Sequence, residues 1–263
     1  MIVSKLTGGI DMIALITGCS SGIGRTLCKK MKENGYTVIA TARKSETLKT
    51  LEADSKLELD VTDESSIQKA AEFVQEKYGK IDILVNNAGY SKRGALEEIP
   101  MADVSRLFDV NVFGIMRMIQ AFAPMMRKEG NGKIINIGSI SGRFTQAANG
   151  SYCATKHAVE AISEAAGYEL SSYKIQVSVL EPGPMETEFF HTLEQNSDGI
   201  MQNQNSPYFS IYQQNQKVRE KQKRCSADAA ADEIFRICKK KKLKKRYFVA
   251  VPFLYRVAIS LKK

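Results

Sequence analysis

The sequence has 263 residues, of which 43% are hydrophobic, and this is sufficient for the core of one α/β domain. Its net charge of +9 comes mostly from one segment, "KKKKLKKR" at 239–246, which carries seven positive charges. No helix-turn-helix, zinc-finger or aromatic RNA-binding signature accompanies that segment, so the charge does not indicate a nucleic-acid-binding protein. The segment is either a solvated helix end or a patch for an anionic membrane surface.

Cysteine, histidine and hydropathy patterns exclude further classes of protein. Five scattered cysteines and two histidines predict neither a disulfide framework nor a metal site. No apolar run reaches the roughly 18 residues that span a bilayer, and the N-terminal "MIVSKLTGGIDM" lacks the pattern of a signal peptide. We therefore expect a cytoplasmic protein with a single domain over residues 1–263.

Strands and helices alternate along the chain from the first apolar run. After the strand at 12–18, the spacing of Ile23, Leu27 and Met31 predicts a helix that ends at "NGY". The predicted strands are 12–18, 37–42, 56–61, 81–89, 132–139, 174–183 and 247–252. This alternation with near-continuous apolar strands predicts a doubly wound parallel sheet of about seven strands, with helices on both faces.

Residues 185–225 interrupt this alternation. The segment is rich in Asn and Gln and is too long for an ordinary connection, which indicates a functional excursion or disorder. It follows a strand's carboxyl end, where open α/β sheets bind ligands. Its apolar side chains form either a lid over an apolar substrate or a lid that packs on its own sheet. They are Phe189, Phe190, Ile200, Met201, Tyr208, Phe209, Ile211 and Tyr212.

A glycine-rich turn, "LITGCSSGIGRTL", joins the first strand to the first helix. Glycines at positions 18, 22 and 24 permit a tight turn and the close approach of a pyrophosphate, which a helix N-terminus attracts. Tight packing alone is the alternative explanation. The strand–turn–helix context favours nucleotide binding.

The second strand ends in Ala42 and Arg43, where an NAD-binding fold places a carboxylate for the ribose hydroxyls. A carboxylate repels a 2′-phosphate, whereas a guanidinium pairs with it. Arg43 therefore favours NADP(H), and a solvated loop arginine is the alternative.

Tyr152 and Lys156 lie four residues apart in "SYCATKHAVEA", so they share one face of a helix. A nearby ammonium stabilises a phenolate and lowers the pKa of a tyrosine. The pair is either a catalytic acid with its tuning lysine or an ordinary pair of polar residues.

Seven motifs in order give the sequence a wider resemblance over roughly residues 12–190. They are "TGCSSGIG", "LDVTD", "NNAG", Asn111 in "DVNVFG", Ser139 in "NIGSISG", "YCATK" and "EPGP". This series resembles the short-chain dehydrogenase/reductase family, which has a Rossmann-like fold. It is most similar to the branch of the 17β-hydroxysteroid and retinol dehydrogenases and the acyl-dihydroxyacetone-phosphate reductases.

The resemblance implies a role for each of four residues. Tyr152 is expected to be the general acid/base, and Lys156 to lower its pKa and hold the nicotinamide ribose. Ser139 is expected to hydrogen-bond the substrate oxygen, and Asn111 to anchor a water in a proton relay. The expected cofactor contacts are Tyr152, Lys156, Gly18, Ser20, Ser21, Gly22, Ile23, Gly24, Arg43, Asp60, Val61, Asn87, Ala88, Gly89, Pro182, Gly183, Met185 and Thr187.

Taken together, the residues and the resemblance imply an oxidoreductase that moves a hydride between NADP(H) and a carbonyl or alcohol. The small apolar substrate is expected to be of steroid, retinoid or acyl-chain type. A homo-dimer or tetramer formed through the helices at 102–128 and 152–171 is also implied. The alternative is a non-catalytic NADP(H)-binding sensor or scaffold, and either protein is compatible with peripheral contact to an anionic membrane.

Overall fold

The structure of the protein is a computed structural model that describes residues 12–261, with the backbone alone described at positions 190, 191, 254, 258, 260 and 261. The first eleven residues, which contain most of "MIVSKLTGGIDM", and the side chain of Phe190 lie outside the described residues. Within residues 12–261, none of the helices has the length and apolar character needed to cross a bilayer.

The described residues form nine strands. They are β1 (Ile13–Ile16), β2 (Thr37–Ala42), β3 (Ser55–Glu58), β4 (Ile83–Asn86), β5 (Gly132–Ile137), β6 (Ile175–Pro182), β7 (Met185–Glu186), β8 (Cys225–Ser226) and β9 (Arg246–Val249). Seven of them form one parallel sheet in the order β3-β2-β1-β4-β5-β6-β9. The predicted seven-stranded parallel sheet is therefore confirmed. The short pair β7–β8 was not expected from the sequence.

The described helices connect and cover these strands. They are α1 (Gly22–Glu33), α2 (Glu64–Tyr78), α3 (Met101–Phe108), α4 (Gly114–Glu129), α5 (Gly150–Leu170), α6 (Glu188–Met201), α7 (Phe209–Lys221), α8 (Ala227–Cys238) and α9 (Phe253–Leu261). Successive side chains of a strand point to opposite faces, so β1 contributes to two separate cores. Ala14 and Ile16 pack in a core with α1 and α8, whereas Ile13 and Leu15 pack in a core with α2 and α4. Both faces are covered, as in a Rossmann-like single domain.

Two predicted segments differ from the structure. The helix expected over 102–128 is interrupted between α3 and α4 by a π-helical turn, Asp109–Phe113. A π turn widens the helix by one residue and occurs often at functional sites. The segment 185–225 contains β7, α6, α7 and β8. Of the two expectations, an excursion or disorder, the structure therefore shows an excursion, and it is mostly helical.

Candidate active site

One cavity of about 390 Å³ opens at the carboxyl ends of the central strands. The sheet order explains its position, because the connections after β1 and β4 leave in opposite directions and open a crevice between these neighbours. Its glycine-rich end is lined by the turn at 18–23 with residues 42–43, 59–61 and 87–89. Its arginine-rich end is lined from 139–152 and 184–193 and by three arginines, Arg93, Arg219 and Arg224.

The glycine-rich turn leaves no room for side chains at two positions. Gly18 has a positive φ of 72°, and a Cβ there would lie 2.9 Å from the Cα of Ala88. A Cβ on Gly24 would lie 2.5 Å from both the Nδ2 of Asn87 and the carbonyl oxygen of Gly18. Asn87 Nδ2 in turn donates to the carbonyl oxygens of Thr17 and Gly18 at 2.9 and 3.1 Å. Close packing and a backbone cradle therefore coexist in this turn.

The N-terminus of α1 faces the same end of the cavity. Ser21 is the residue before the helix, and its side chain makes no capping hydrogen bond with the described residues. The first amide N–H groups of α1 are therefore available to an anion, which a helix N-terminus favours. This geometry fits the pyrophosphate of a dinucleotide.

Arg43 and Asp60 line the cavity beyond the turn. Arg43 is exposed, and Ala42 beside it is buried and carries no charge. Asp60 Oδ1 accepts hydrogen bonds from the N–H and hydroxyl of Thr62 at 2.9 and 2.8 Å, which fixes the carboxylate at the cavity wall. This part of the cavity fits an adenosine ribose and base.

Tyr152 and Lys156 lie on the first turns of α5 and are both buried. Lys156 Nζ is 5.8 Å from the centre of the Tyr152 ring and donates to the carbonyl oxygen of Ile137 at 2.8 Å. Ser139 follows β5 and accepts a hydrogen bond from Ser141 N–H at 3.1 Å, and it lies near enough to Tyr152 to influence the pKa of that phenol. The tertiary structure therefore brings the three residues into one wall of the cavity.

Burial sets the protonation of this group. It raises the pKa of Tyr152 to about 12, although the nearby Ser139 hydroxyl acts to lower it. Burial also lowers the pKa of Lys156 to about 8, against the raising effect of the nearby Glu160 carboxylate. The net direction at Tyr152 is opposite to the lowering expected from Lys156, because desolvation of the phenolate outweighs the lowering effects of Ser139 and Arg93.

Asn111 lies in the π turn behind the cavity rather than in its lining. Its Oδ1 accepts from Tyr90 N–H at 3.0 Å, and its Nδ2 donates to the Tyr90 carbonyl oxygen at 2.9 Å. Nδ2 also lies 3.3 Å from the hydroxyl of Thr155, one residue before Lys156. Asn111 thus ties the segment after β4 to α5.

The expected cofactor contacts are nearly all brought together. With Gly24 as the exception, each of them lines the cavity, and Gly24 instead packs beneath the turn. The lid residues are not brought together in this way. Of the seven with described side chains, only Phe189 lines the cavity. Its ring centre is 6.1 Å from that of Tyr152.

Sequence reasoning missed two groups of polar residues. The arginines of the arginine-rich end carry no local signal, because Arg93 lies far along the chain from Arg219 and Arg224. Glu160 and Glu181 form a buried carboxylate pair behind Lys156, and burial with the Glu160 charge raises the pKa of Glu181 to about 8. The position of Glu160, one helical turn after Lys156, could have indicated this pair. The described residues contain no cluster of His, Cys, Asp or Glu suited to a metal ion.

Fold and cavity together define a dinucleotide-binding oxidoreductase. A sequence model described as short chain dehydrogenase matches residues 12–198, and the chain belongs to that family.

Three curated relatives agree with this assignment. A 3-ketodihydrosphingosine reductase of Bacteroides thetaiotaomicron is 37% identical over 213 residues, covering 81% of this chain and 77% of that protein. An NADPH-dependent 3-dehydrocapnine reductase of Ornithobacterium rhinotracheale is 33% identical over 250 residues, covering 90% and 87%. The 17-beta-hydroxysteroid dehydrogenase type 1 of Homo sapiens is 37% identical over 191 residues, covering 67% and 58%. The resemblance inferred from the motifs is confirmed.

Solved structures show the same fold. A short-chain dehydrogenase from Streptomyces avermitilis has a TM-score of 0.82 and 29% identity, covering 96% of this chain and 92% of that one. A serine dehydrogenase complexed with NADP⁺ has a TM-score of 0.79 and 26% identity, covering 90% and 94%. A short-chain dehydrogenase/reductase from Burkholderia phymatum in complex with NAD has a TM-score of 0.78 and 25% identity, covering 97% and 94%. Similar proteins therefore bind either nicotinamide dinucleotide.

Proposed function

We propose that this protein is an NADP(H)-dependent oxidoreductase that interconverts a carbonyl and an alcohol on an apolar substrate. The observation that carries the proposal is the convergence of Ser139, Tyr152 and Lys156 on the cavity that also contains the glycine-rich turn. Hydride transfer to a carbonyl needs a general acid beside the nucleotide cradle, whereas nucleotide binding alone does not.

Four residues of this chain have different roles around the reacting carbon. Bound nicotinamide supplies or accepts the hydride. In the reduction direction, the Tyr152 hydroxyl donates its proton to the carbonyl oxygen, and Ser139 Oγ donates a hydrogen bond to the same oxygen. The Lys156 ammonium offsets the developing phenolate and holds the ribose hydroxyls. Asn111 is a positioning residue in this proposal, since its contacts with Tyr90 and Thr155 support the placement of α5 and of a relay water.

NADP(H) is the cofactor that we propose in preference to NAD(H). The uncharged Ala42 and the exposed Arg43 guanidinium beside it support this choice, because a 2′-phosphate gains a charge-assisted partner there. Solved relatives with each dinucleotide make the direct comparison of NADPH and NADH necessary.

The apolar part of the substrate is proposed to lie under residues 185–225. Apolar side chains at that end of the cavity support this placement, and they are Ile140, Phe144, Met185, Phe189 and Leu193. The remaining apolar residues of the segment mostly serve a packing role: Ile200, Met201, Tyr208 and Tyr212 cluster together around Ala95 and Ala148. The proposal of a steroid, retinoid or acyl-chain substrate therefore depends on a small group of apolar side chains near Tyr152.

The experiment is a series of ketones of rising chain length with NADPH, followed at the nicotinamide absorbance. We expect kcat/KM to rise with length, and Phe189→Ala to flatten the rise by up to about fourfold per methylene removed from contact. Phe209→Ala is the matched control, because Phe209 does not line the cavity. A flat profile in the unaltered protein contradicts the apolar site. The absence of turnover with any carbonyl or alcohol favours the sensor or scaffold instead.

Two assembly properties belong to the same proposal. Phe113 in the π turn, Met116 on α4 and Tyr168 on α5 are exposed, which supports a homo-dimer or tetramer through these helices. Sedimentation of the unaltered protein beside a Met116→Glu variant tests this, with a smaller particle expected for the variant.

Peripheral contact with an anionic membrane is proposed for the lysine segment at 239–246. Most of its lysines are exposed in the connection between α8 and β9. This connection lies at the opposite end of β9 from α9, so the contact would be electrostatic rather than shared with that apolar helix. Sedimentation with phosphatidylserine vesicles at low and high salt tests the contact, which salt should weaken.

A further inference from the structure

Arg93 presents an unpaired guanidinium to the arginine-rich end of the cavity. Its buried Nε has no hydrogen-bond partner among the residues whose side chains are described. Within the same set, the guanidinium forms no ion pair with a carboxylate. Its backbone is nevertheless held firmly, since Arg93 N–H donates to Ser197 Oγ of α6 at 2.9 Å. A partly desolvated guanidinium without a counter-charge is costly unless something else binds it.

The surroundings of Arg93 are positive. Burial and the neighbouring charge of Arg219 lower the pKa of the Arg93 guanidinium to about 10. Arg219 has Glu194 as an ion-pair partner at 3.3 Å, and Arg224 has Glu186 at 3.0 Å. Neither of these carboxylates lines the cavity, and among the described lining residues the only acid is Asp60 at the glycine-rich end. The arginine-rich end therefore attracts an anion.

Arg93 also lies close to the reacting group. Its positive charge lowers the pKa of Tyr152, and Tyr152 in turn raises that of Arg93. The cofactor's own phosphates do not account for this charge, because their cradle is the turn at 18–23 and the N-terminus of α1. Arg93 N–H is instead bonded to Ser197 of α6, and the guanidinium feels the like charge of Arg219 on α7.

We propose that Arg93 binds an oxyanion of the substrate, so that the substrate is a keto acid or hydroxy acid with an apolar chain. This inference rests on the proposed function and specifies its substrate class. The guanidinium fork gives a planar carboxylate two parallel hydrogen bonds, and a phosphate can be bound by the same donors. The apolar remainder of the substrate then packs against Phe189 and Leu193 on the same side of the cavity.

The first test compares 4-oxooctanoate with its methyl ester, which differ in charge and share the reacting ketone. In the unaltered protein, kcat/KM should favour the acid by about tenfold or more, since the ester leaves the partly desolvated Arg93 charge unpaired. Arg93→Gln should bring the acid-to-ester ratio close to one, and Arg93→Lys should give an intermediate ratio. Arg236→Gln is the control, because it removes the same charge from the exposed face of α8.

Three outcomes overturn the inference. The first is an acid-to-ester ratio near one in the unaltered protein, and the second is a preference for the acid that survives in Arg93→Gln. The third is an equal loss for acid and ester in Arg93→Gln, which would mean that Arg93 acts only through the pKa of Tyr152. The pH profile of kcat/KM would then shift in that variant, whereas loss of an anion contact alone changes the ratio.

A binding arm keeps the test decisive without turnover. Calorimetry on the NADPH-saturated protein compares octanoate, octyl phosphate and octanol, and the two anions should bind about tenfold more tightly than octanol. The stronger of the two anions indicates whether a carboxylate or a phosphate fits the site. Equal binding of anions and octanol overturns the inference. If no ketone is reduced, the proposed function fails while this comparison still decides the role of Arg93.

Discussion

The two ends of the cavity are built in different ways. At the glycine-rich end, Thr17 Oγ1 accepts from the N–H groups of Asn87 and Ala88, both at 2.9 Å, within a buried wall. At the arginine-rich end, the helices of 185–225 are attached through partly exposed ion pairs such as Arg219 with Glu194. Exposed ion pairs contribute about 0–1 kcal/mol, far less than buried close packing. The glycine-rich end is therefore preorganised, and the arginine-rich end is the part that substitution and opening can alter most easily.

Removal of the Tyr152 hydroxyl, which lies between the two ends, should have the largest effect on activity. Tyr152→Phe keeps the ring and removes the transferable proton, so kcat should fall by about 10²–10⁴-fold. NADPH affinity should change by less than about threefold, because the glycine-rich end is untouched. Steady-state kinetics with fluorescence titration of NADPH measures both quantities. Turnover near that of the unaltered protein would remove Tyr152 from its assigned role.

Cofactor preference tests the charge at the glycine-rich end. Ala42→Asp should lower the NADPH-to-NADH affinity ratio by about ten- to a hundredfold, since a carboxylate repels the 2′-phosphate and a charge-assisted bond contributes about 1.5–3 kcal/mol. Separate titrations with each dinucleotide supply the ratio. Equal affinities in the unaltered protein would contradict the assignment to Arg43.

One methyl group placed at each end compares their packing directly. Gly24→Ala should weaken NADPH binding by about tenfold or more, because its Cβ meets Asn87 and Gly18 at 2.5 Å. A Cβ added at Gly199 in α6 meets no atom within 4 Å, so Gly199→Ala should stabilise the protein by about 0.5–1 kcal/mol. Thermal unfolding with and without NADPH measures both changes. Similar losses at the two positions would remove the contrast between the ends.

The buried carboxylates behind Lys156 should affect stability in a way that depends on pH. The folded-state pKa of Glu181 is raised to about 8, so the folded protein holds this proton more tightly than the unfolded chain. Its stabilising contribution is complete at low pH and is lost as the pH rises through about 8. Glu181→Gln should therefore be more stable than the unaltered protein at pH 9, by about 1–3 kcal/mol, with a smaller gain at pH 5.

Urea unfolding at pH 5, 7 and 9 measures this difference. The exposed Glu52→Gln is the control for loss of a charge. A Glu181→Gln curve parallel to that of the unaltered protein across this range would refute the raised pKa.

The fold could be read from the sequence because its signals are local. Apolar runs with glycine or polar boundaries marked each strand of the main sheet, and the alternation with helices implied parallel pairing. The π turn at 109–113 could not be read in this way, since the apolar period on either side of it still looks like one helix. The helices of 185–225 were equally hidden by their Asn- and Gln-rich composition.

By itself, the sequence predicted the nucleotide cradle, because a glycine-rich turn between a strand and a helix is a local pattern. Its resemblance to the family implied the Ser139, Tyr152 and Lys156 set. Only the tertiary structure decided the character of the other end. It brought Arg93 beside Arg219 and Glu160 beside Glu181, pairs that are distant in the chain and become neighbours only when helices pack on the sheet. It also buried Tyr152 deeply enough to raise its pKa, which no spacing of residues reports. Packing sets desolvation and charge together, and these decide what the cavity binds.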